Sequence, residues 1–273
     1  MQIDQDRIRA ILKAEHSYYG GPDIPVRDDR RWHPGAWNLI AQQLSPAMHV
    51  LDVGCGRGHV LLDLSDNFHT GLGIDIDPEH IQMAEEAKRA QGIKNVDFLL
   101  LGYPHEVARL HPGSFDMVIS FRGPVPDAPL GIQAAHHLLR PDGLLFCEEI
   151  AELHHKEVQE MFPDSSGSKE VVPKVDQVRA LMEQNGFDIR LAADVITKSF
   201  YPDVYAWLES ECNIRAWLGI PLPEPDDPRI ALFAERNTTA TGEIETTNHV
   251  AWVAGVKRQG ESACGEFRHL PGA

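Results

Sequence analysis

The chain has 273 residues, enough for one large α/β domain or a domain with a cap, and too long for a miniprotein. Its 25 Lys and Arg against 41 Asp and Glu leave a net charge of −16, which disfavours nucleic-acid phosphates and anionic membrane faces as partners. A hydrophobic content of 42% with 24% charged residues excludes a disordered chain.

Residues 4–16 place Ile8, Ile11 and Leu12 on one helical face behind an Asp start, and Gly20, Gly21, Pro22 and Pro25 then break the pattern. Trp37, Ile40, Ala41 and Leu44 predict a second helix over 34–44, so residues 1–46 read as a helical cover. From residue 47 short apolar runs alternate with amphipathic segments. The runs 48–54, 69–76, 96–102, 115–120 and 143–150 have the continuous apolar character of strands buried on both faces of a parallel sheet. Helices are expected between them at 58–66, 78–91, 104–110 and 127–139, and another at 174–185 ends on Asn185-Gly186. This alternation predicts a three-layer, doubly wound α/β core over 47–200 with right-handed crossovers. Residues 187–200 read as a further strand, 201–243 as a helical cap insertion, 244–258 as the final core strand and 259–273 as a loose tail.

No run approaches the roughly 18 apolar residues of a membrane helix, and Met1 to Glu15 is polar where a secretory leader is apolar. The expectation is a cytoplasmic protein with no membrane partner; the sequence does not fix its oligomeric state. Cys55, Cys147, Cys212 and Cys264 are too widely spaced for a zinc site or a disulfide framework. Neighbouring residues on a helix diverge by about 100°, so His136-His137 and His154-His155 do not chelate an ion, and no metal is expected.

The sharpest feature is the strand Val50 to Val53 running into Gly54, Cys55, Gly56, Arg57 and Gly58. A strand entering closely spaced glycines and then a helix makes a turn whose backbone approaches a ligand. A dinucleotide fingerprint would place its third glycine at 59, where this chain has His59, which weakens a nicotinamide cofactor. Asp75, ending the second core strand, is placed to accept the hydroxyls of a ribose, and Asp77-Pro78 opens the next helix.

These residues carry a family resemblance. VLDVGCGRGHV (50–60), GIDIDPEHIQMAEEA (73–87), FDMVIS (115–120) and LLRPDGLLFCEE (138–149) make the chain resemble a class I S-adenosylmethionine-dependent methyltransferase with a methyltransferase type 11-like domain, over roughly residues 48–150. The resemblance implies a Rossmann-like sheet of seven strands with the last one antiparallel, and S-adenosylmethionine as cofactor. By it, Gly54, Gly56 and Gly58, with Cys55 between them, border the methionine part, Asp52 organises its amino group and Asp75 takes the ribose. Ile76 and Ser120 are expected beside the cofactor. Where related enzymes commonly carry a polar residue facing the adenine amino group, this chain has Tyr103 and Pro104, with Tyr103 expected to stack on the base or meet its edge.

Methyl transfer from a sulfonium starts from an activated donor, so positioning and desolvation can outweigh acid/base chemistry. Arg122 follows a buried strand and precedes Gly123-Pro124, where a guanidinium either clamps a substrate anion or pairs with a nearby carboxylate. Glu149 is the candidate base, with Glu148 as its alternative because the two alternate faces of one strand. His33, in the basic-aromatic run Arg27 to His33, can move a proton near neutrality. Trp207, Leu208, Trp217 and Leu218 read as packing of the cap, which could line an apolar pocket.

The function expected is in-line methyl transfer to a small-molecule O, N or C acceptor. The alternatives are a noncatalytic cofactor-binding regulator or a methyltransferase of RNA or protein. No aromatic motif of the amino-directed nucleic-acid methylases follows the fourth core strand, and nine acidic residues in 203–245 face only Arg215, Arg229 and Arg236. Both observations point away from a polyanionic acceptor.

Overall fold

A computed structural model describes residues 3–16, 27–28, 34–128, 130–163 and 174–259. The chain divides into two compact units, one of residues 38–151, 172–195 and 250–273, the other of residues 1–37, 152–171 and 196–249.

The first unit carries the parallel sheet. Its strands are β2 (His49–Val53), β3 (Thr70–Asp75), β4 (Val96–Leu100), β5 (Phe115–Phe121) and β6 (Leu139–Ile150), with parts of β7 (Phe187–Tyr201) and β8 (Ile244–Lys257). β1 (Arg27–Asp28) completes the strand order β1-β7-β8-β6-β5-β2-β3-β4. β2 to β6 pair in parallel and β8 runs antiparallel to β6, from Leu144 opposite Val256 to Ile150 opposite Val250. The predicted seven strands and reversed last strand are therefore present, with the two-residue β1 added against Phe200 and Ser199 of β7.

Leu51, Val53, Val118, Leu145, Cys147 and Val253 pack with Ile132, Ala135 and Leu138 of α5 (Gly131–Leu138) and with Val178 and Met182 of α7 (Lys174–Gln184). The edge strand differs from its sequence reading. The run at 96–102 has the apolar look of a central strand, but Leu99 and Leu100 are exposed because β4 has only β3 beside it.

Helices follow the predicted caps. Asp77 accepts from the Glu79 amide at 2.8 Å and Pro78 opens α4 (Pro78–Gln91), which closes on left-handed Gly92. The helix predicted over 58–66 is split into α3 (His59–Asp63) and a 3-10 turn at Ser65–Asn67. That predicted over 104–110 shrinks to a 3-10 turn at Val107–Arg109, bounded by Pro104 and Pro112. That over 127–139 starts only at Gly131, after left-handed Leu130, and Leu139 already belongs to β6. α2 (Pro34–Gln43) matches the second predicted helix.

The second unit joins α1 (Gln5–Lys13), α6 (Lys156–Met161), α8 (Val204–Leu218) and α9 (Pro228–Asn237). It gathers more of the chain than the insertion read at 201–243, drawing in the N-terminal helix and 152–171. Its core centres on Trp207, stacked on Phe233 at 4.0 Å, with Ile8, Phe162 and Leu208 around them. Much of the acidic excess of 203–245 is structural. Asp203 and Asp227 cap α8 and α9, and buried Glu211 pairs with Arg215 at 2.8 Å. The tail from residue 260 lies outside the described residues.

Candidate active site

The glycine loop leaves β2 with left-handed backbone at Gly54, Gly56 and Gly58. A Cβ on Gly58 would lie 2.4 Å from the Phe98 ring, and one on Gly54 2.9 Å from Pro124 and 3.2 Å from the Gly123 backbone. Glycine is thus demanded both by conformation and by the close passage of the loop after β5. Four of the loop's amides are committed internally. Gly54 and Cys55 donate to the Ile74 carbonyl at 2.9 and 3.0 Å, Gly58 donates to the Cys55 carbonyl at 2.9 Å, and Gly56 donates to Asp75 Oδ2 at 2.8 Å. A loop that cradles phosphates needs those N–H groups aimed at the ligand. Here they shape the chain instead, which argues against a diphosphate and for a nucleoside without one.

The polar groups on offer are acidic. Asp52 is 1% exposed and its Oδ2 has no hydrogen-bond partner among the described residues. Burial, then the charge of Asp75, pushes its carboxyl up to about 7. Asp75 ends β3 with Oδ1 accepting from the Asp77 amide at 2.9 Å, and His80 Nδ1 stands 3.7 Å from the same oxygen. Each carboxylate oxygen retains a further lone pair for a hydroxyl donor. Ile76, the next residue, is 79% exposed and offers an apolar surface beside that acid.

Cys55 enters the site through its backbone only. Its side chain is buried, its sulfur would lie 2.9 Å from a Cβ on Gly73, and burial drives its thiol far up, so it is an inert packing group. Tyr103, expected against the adenine, donates its hydroxyl to the Gly131 carbonyl and packs against the core cluster, while Pro104 is buried in the following turn.

Register sorts the remaining candidates onto two faces. Asp52 pairs with Ile119, Phe121 with Glu148 and Ser120 with Cys147. Side chains alternate, so Asp52 and Glu148 share one face while Ser120, Cys147 and Glu149 share the other, which α5 and α7 cover. Glu148 Oε2 accepts from Trp252 Nε1 at 2.7 Å, and its Oε1 lies 3.7 Å from Arg122 Nε. Arg122 has left-handed backbone at φ 50° and donates its amide to the Glu148 carbonyl at 2.7 Å. The guanidinium therefore has the carboxylate neighbour that the sequence offered as its second role.

Glu149 is buried with Oε1 unpartnered among the described residues, as is the Ser120 hydroxyl. Burial first, then the charge of Asp127, pushes Glu149 up to about 8; Lys174, 2.6 Å from Asp127, opposes the rise and Glu148 adds to it. His33 lies outside the described residues. Sequence reasoning missed Trp252 and His80. His80 stands five residues after Asp75, a spacing that could have suggested it, whereas Trp252 meets Glu148 only through the antiparallel register of β6 and β8.

A family model described as a methyltransferase domain matches residues 44–203. A ubiquinone biosynthesis O-methyltransferase of Xanthomonas axonopodis is 31% identical over 148 residues, 53% of this chain and 59% of that protein. A nocamycin O-methyltransferase of Saccharothrix syringae is 37% identical over 105 residues, 36% of each chain. The chain thus spans less than two thirds of the length of the curated relatives it matches. Among solved structures, a SAM-dependent methyltransferase of Methanosarcina mazei shares the fold, with a TM-score of 0.51 and 19% identity over 81% of this chain and 97% of its own.

Proposed function

The chain belongs to the methyltransferase domain family, and from that premise we propose that it binds S-adenosylmethionine and methylates a small-molecule acceptor. The observation that carries the reading is the pairing of a buried carboxylate oxygen without a partner among the described residues, Asp52 Oδ2, with a glycine loop four of whose amides are already closed. That combination suits a ligand bearing an ammonium and a ribose and no phosphate. Asp52 would hold the amino group, Gly54 to Gly58 would let the methionine part lie against the backbone, Asp75 would take the ribose hydroxyls and Ile76 would face the base. When bound, the cofactor supplies a methyl carbon already activated by its sulfonium.

The protein's task is then to align an acceptor in line with that carbon and to exclude water. Arg122 is the candidate for orienting the acceptor, and Glu149 and His33 for taking a proton from it. The names of the O-methyltransferase relatives and the net charge of −16 favour a small acceptor over a nucleic acid. No helix of the described residues is long and apolar enough to cross a membrane. The buried free thiols of Cys55, Cys147 and Cys212 suit the reducing cytoplasm, where we place the protein.

Calorimetric titration with S-adenosylhomocysteine tests the reading. Binding is expected, and Asp75→Ala should weaken it at least a hundredfold by removing two charge-assisted bonds worth about 1.5–3 kcal/mol each. A pure, folded protein that shows no heat of binding overturns the assignment.

A further inference from the structure

We propose that His80 is a positioning residue for the ribose of the cofactor, acting through Asp75, whose carboxylate it holds in the plane that meets the sugar hydroxyls. The inference rests on the methyltransferase reading above and adds a residue to the ribose assignment, which there falls on Asp75 alone.

The chain from Asp75 to His80 folds back on its own start. Asp75 Oδ1 accepts from the Asp77 amide at 2.9 Å, and Asp77 accepts from the Glu79 amide at 2.8 Å as N-cap of α4, with Pro78 at the first helical position. Two such turns in succession return the third residue of the helix to the acid at which they began. His80 Nδ1 accordingly stands 3.7 Å from Asp75 Oδ1. The imidazole also meets the glycine loop, since a Cβ on Gly56 would lie 3.9 Å from the same nitrogen. Gly56 in turn donates its amide to Asp75 Oδ2. Loop, acid and imidazole are thus one contiguous group.

A carboxylate needs such a frame. The terminal torsion of an aspartate is broad, so the plane of its two oxygens is set by what holds each of them. At Asp75 the Gly56 amide holds Oδ2 and the Asp77 amide holds Oδ1. His80 adds a restraint on Oδ1. The contact is too long for a hydrogen bond and is therefore electrostatic. It is formed between side chains only 13% and 11% exposed, where water screens little. Asp52 is near enough to feel the charge of Asp75, and a basic group beside Asp75 offsets that crowding of acids. Two adjacent hydroxyls need both oxygens of the carboxylate presented together. Losing one restraint should therefore cost affinity for a sugar diol and leave affinity for a sugar without one.

The test is calorimetric, with S-adenosylhomocysteine and its 2′,3′-dideoxy analogue as probes, the weaker analogue being read by competition against the first. His80→Leu keeps the bulk and removes both ring nitrogens. It should weaken S-adenosylhomocysteine about three- to tenfold, the worth of one net polar contact, and leave the dideoxy analogue within twofold. His80→Asn returns an amide nitrogen near the place of Nδ1 and should recover the wild-type affinity to within about twofold, a rescue that a merely structural role would not give. His80→Ala is the second truncation should the leucine variant fail to fold.

The proposal is overturned if truncation leaves S-adenosylhomocysteine affinity unchanged, or if it weakens both probes equally, because His80 would then only support the glycine loop. It is overturned also if His80→Asn binds as weakly as the truncation. Failure of the wild-type protein to bind S-adenosylhomocysteine at all instead removes the methyltransferase reading beneath it.

Discussion

The two units treat buried polar groups differently. In the sheet unit Asp52 Oδ2, Ser120 Oγ and Glu149 Oε1 are buried without partners among the described residues, and the two carboxyls are pushed up towards neutrality or beyond. In the helical unit the buried charges close on one another: Arg215 donates to Glu211 at 2.8 Å and to the Pro221 carbonyl at 3.0 Å, while Glu157 accepts from the Thr247 hydroxyl and amide. Closure there is incomplete, since Arg215 Nη2 and the Trp207 indole find no partner among the described residues. Leaving a buried carboxylate unpaired costs free energy that tight packing does not return. Their place at the carboxyl ends of the parallel strands, where open α/β sheets bind ligands, is what supports the proposal that they serve a ligand. The helical unit spends its charges on itself.

Breaking the closed pair should have the largest effect. Burial raises Glu211 even with Arg215 beside it, so desolvation outweighs attraction within the pair. Glu211→Ala strands a buried guanidinium and should cost about 3–5 kcal/mol of unfolding free energy in urea titrations. A joint replacement, Glu211→Met with Arg215→Leu, should recover most of that loss. If the double variant is no more stable than the single one, the pair is not the closed unit described.

The open carboxylate of Glu149 predicts the opposite sign. Its pKa rises from 4.5 to about 8 on folding, so between those values the folded protein binds more protons than the unfolded chain. Stability is then full below pH 4.5, falls as pH rises and levels off above about 8. Glu149→Gln resembles the neutral acid and lacks this slope. It should match the wild type near pH 5 and exceed it by about 3 kcal/mol near pH 8.5, because each tenfold change in proton affinity is worth roughly 1.4 kcal/mol and relaxation of the site returns part of the total. Parallel stability curves for the two proteins would sink the idea.

Asp52 is open in the same way, but its partner is proposed to be the ligand's ammonium. Ionisation of Asp52 through about pH 7 should tighten S-adenosylhomocysteine binding as pH rises. Below that value the expected loss is about tenfold for each step of one in pH, equivalent to ~1.4 kcal/mol. The slope should vanish in Asp52→Asn, and calorimetry across pH 5.5–8 reads it directly.

How much of this was legible in the sequence follows from whether a feature is local. The glycine turn after β2, the position of Asp75 at the end of β3 and the cap Asp77-Pro78 are read from neighbours in the chain, and these local features are present in the structure. The strands were legible for the same reason, because burial on both faces writes an unbroken apolar run. What failed was decided by distant neighbours. β4 reads like a central strand although it is an edge, since the apolar run does not say what lies beside it. The faces of Glu148 and Glu149 required the register of β5, β6 and β8, and Trp252 was invisible as the partner of Glu148 for that reason. The bond from the Tyr103 hydroxyl to the Gly131 carbonyl is likewise set by how α5 packs, which no spacing reports. The helical unit was underestimated because its pieces are scattered along the chain and only packing joins them.

The smallest effect probes how the helical unit uses charge at its surface. Asp227 accepts from the Arg229 amide at 2.9 Å as N-cap of α9, and the Arg229 guanidinium grips the same carboxylate at 2.7 to 3.0 Å. The side-chain bonds from Arg229 chiefly hold this carboxyl below its ordinary value of 3.8. A depressed acid contributes stability that is present above its unfolded pKa and lost as pH falls through the folded one. Asp227→Ala removes both the cap and the pair and should cost about 1–2 kcal/mol at pH 7. Asp227→Asn keeps an oxygen for the amide and should cost less than about 1 kcal/mol, the share left to the charge. That smaller difference should fade as pH falls below 3.8 and through the lower pKa of the folded state, whereas the deficit of Asp227→Ala should persist in part because a protonated acid still caps. If both deficits stay constant from pH 7 to pH 3, Asp227 is not acting as a charge, and the rule that this unit closes its charges locally loses its clearest surface case.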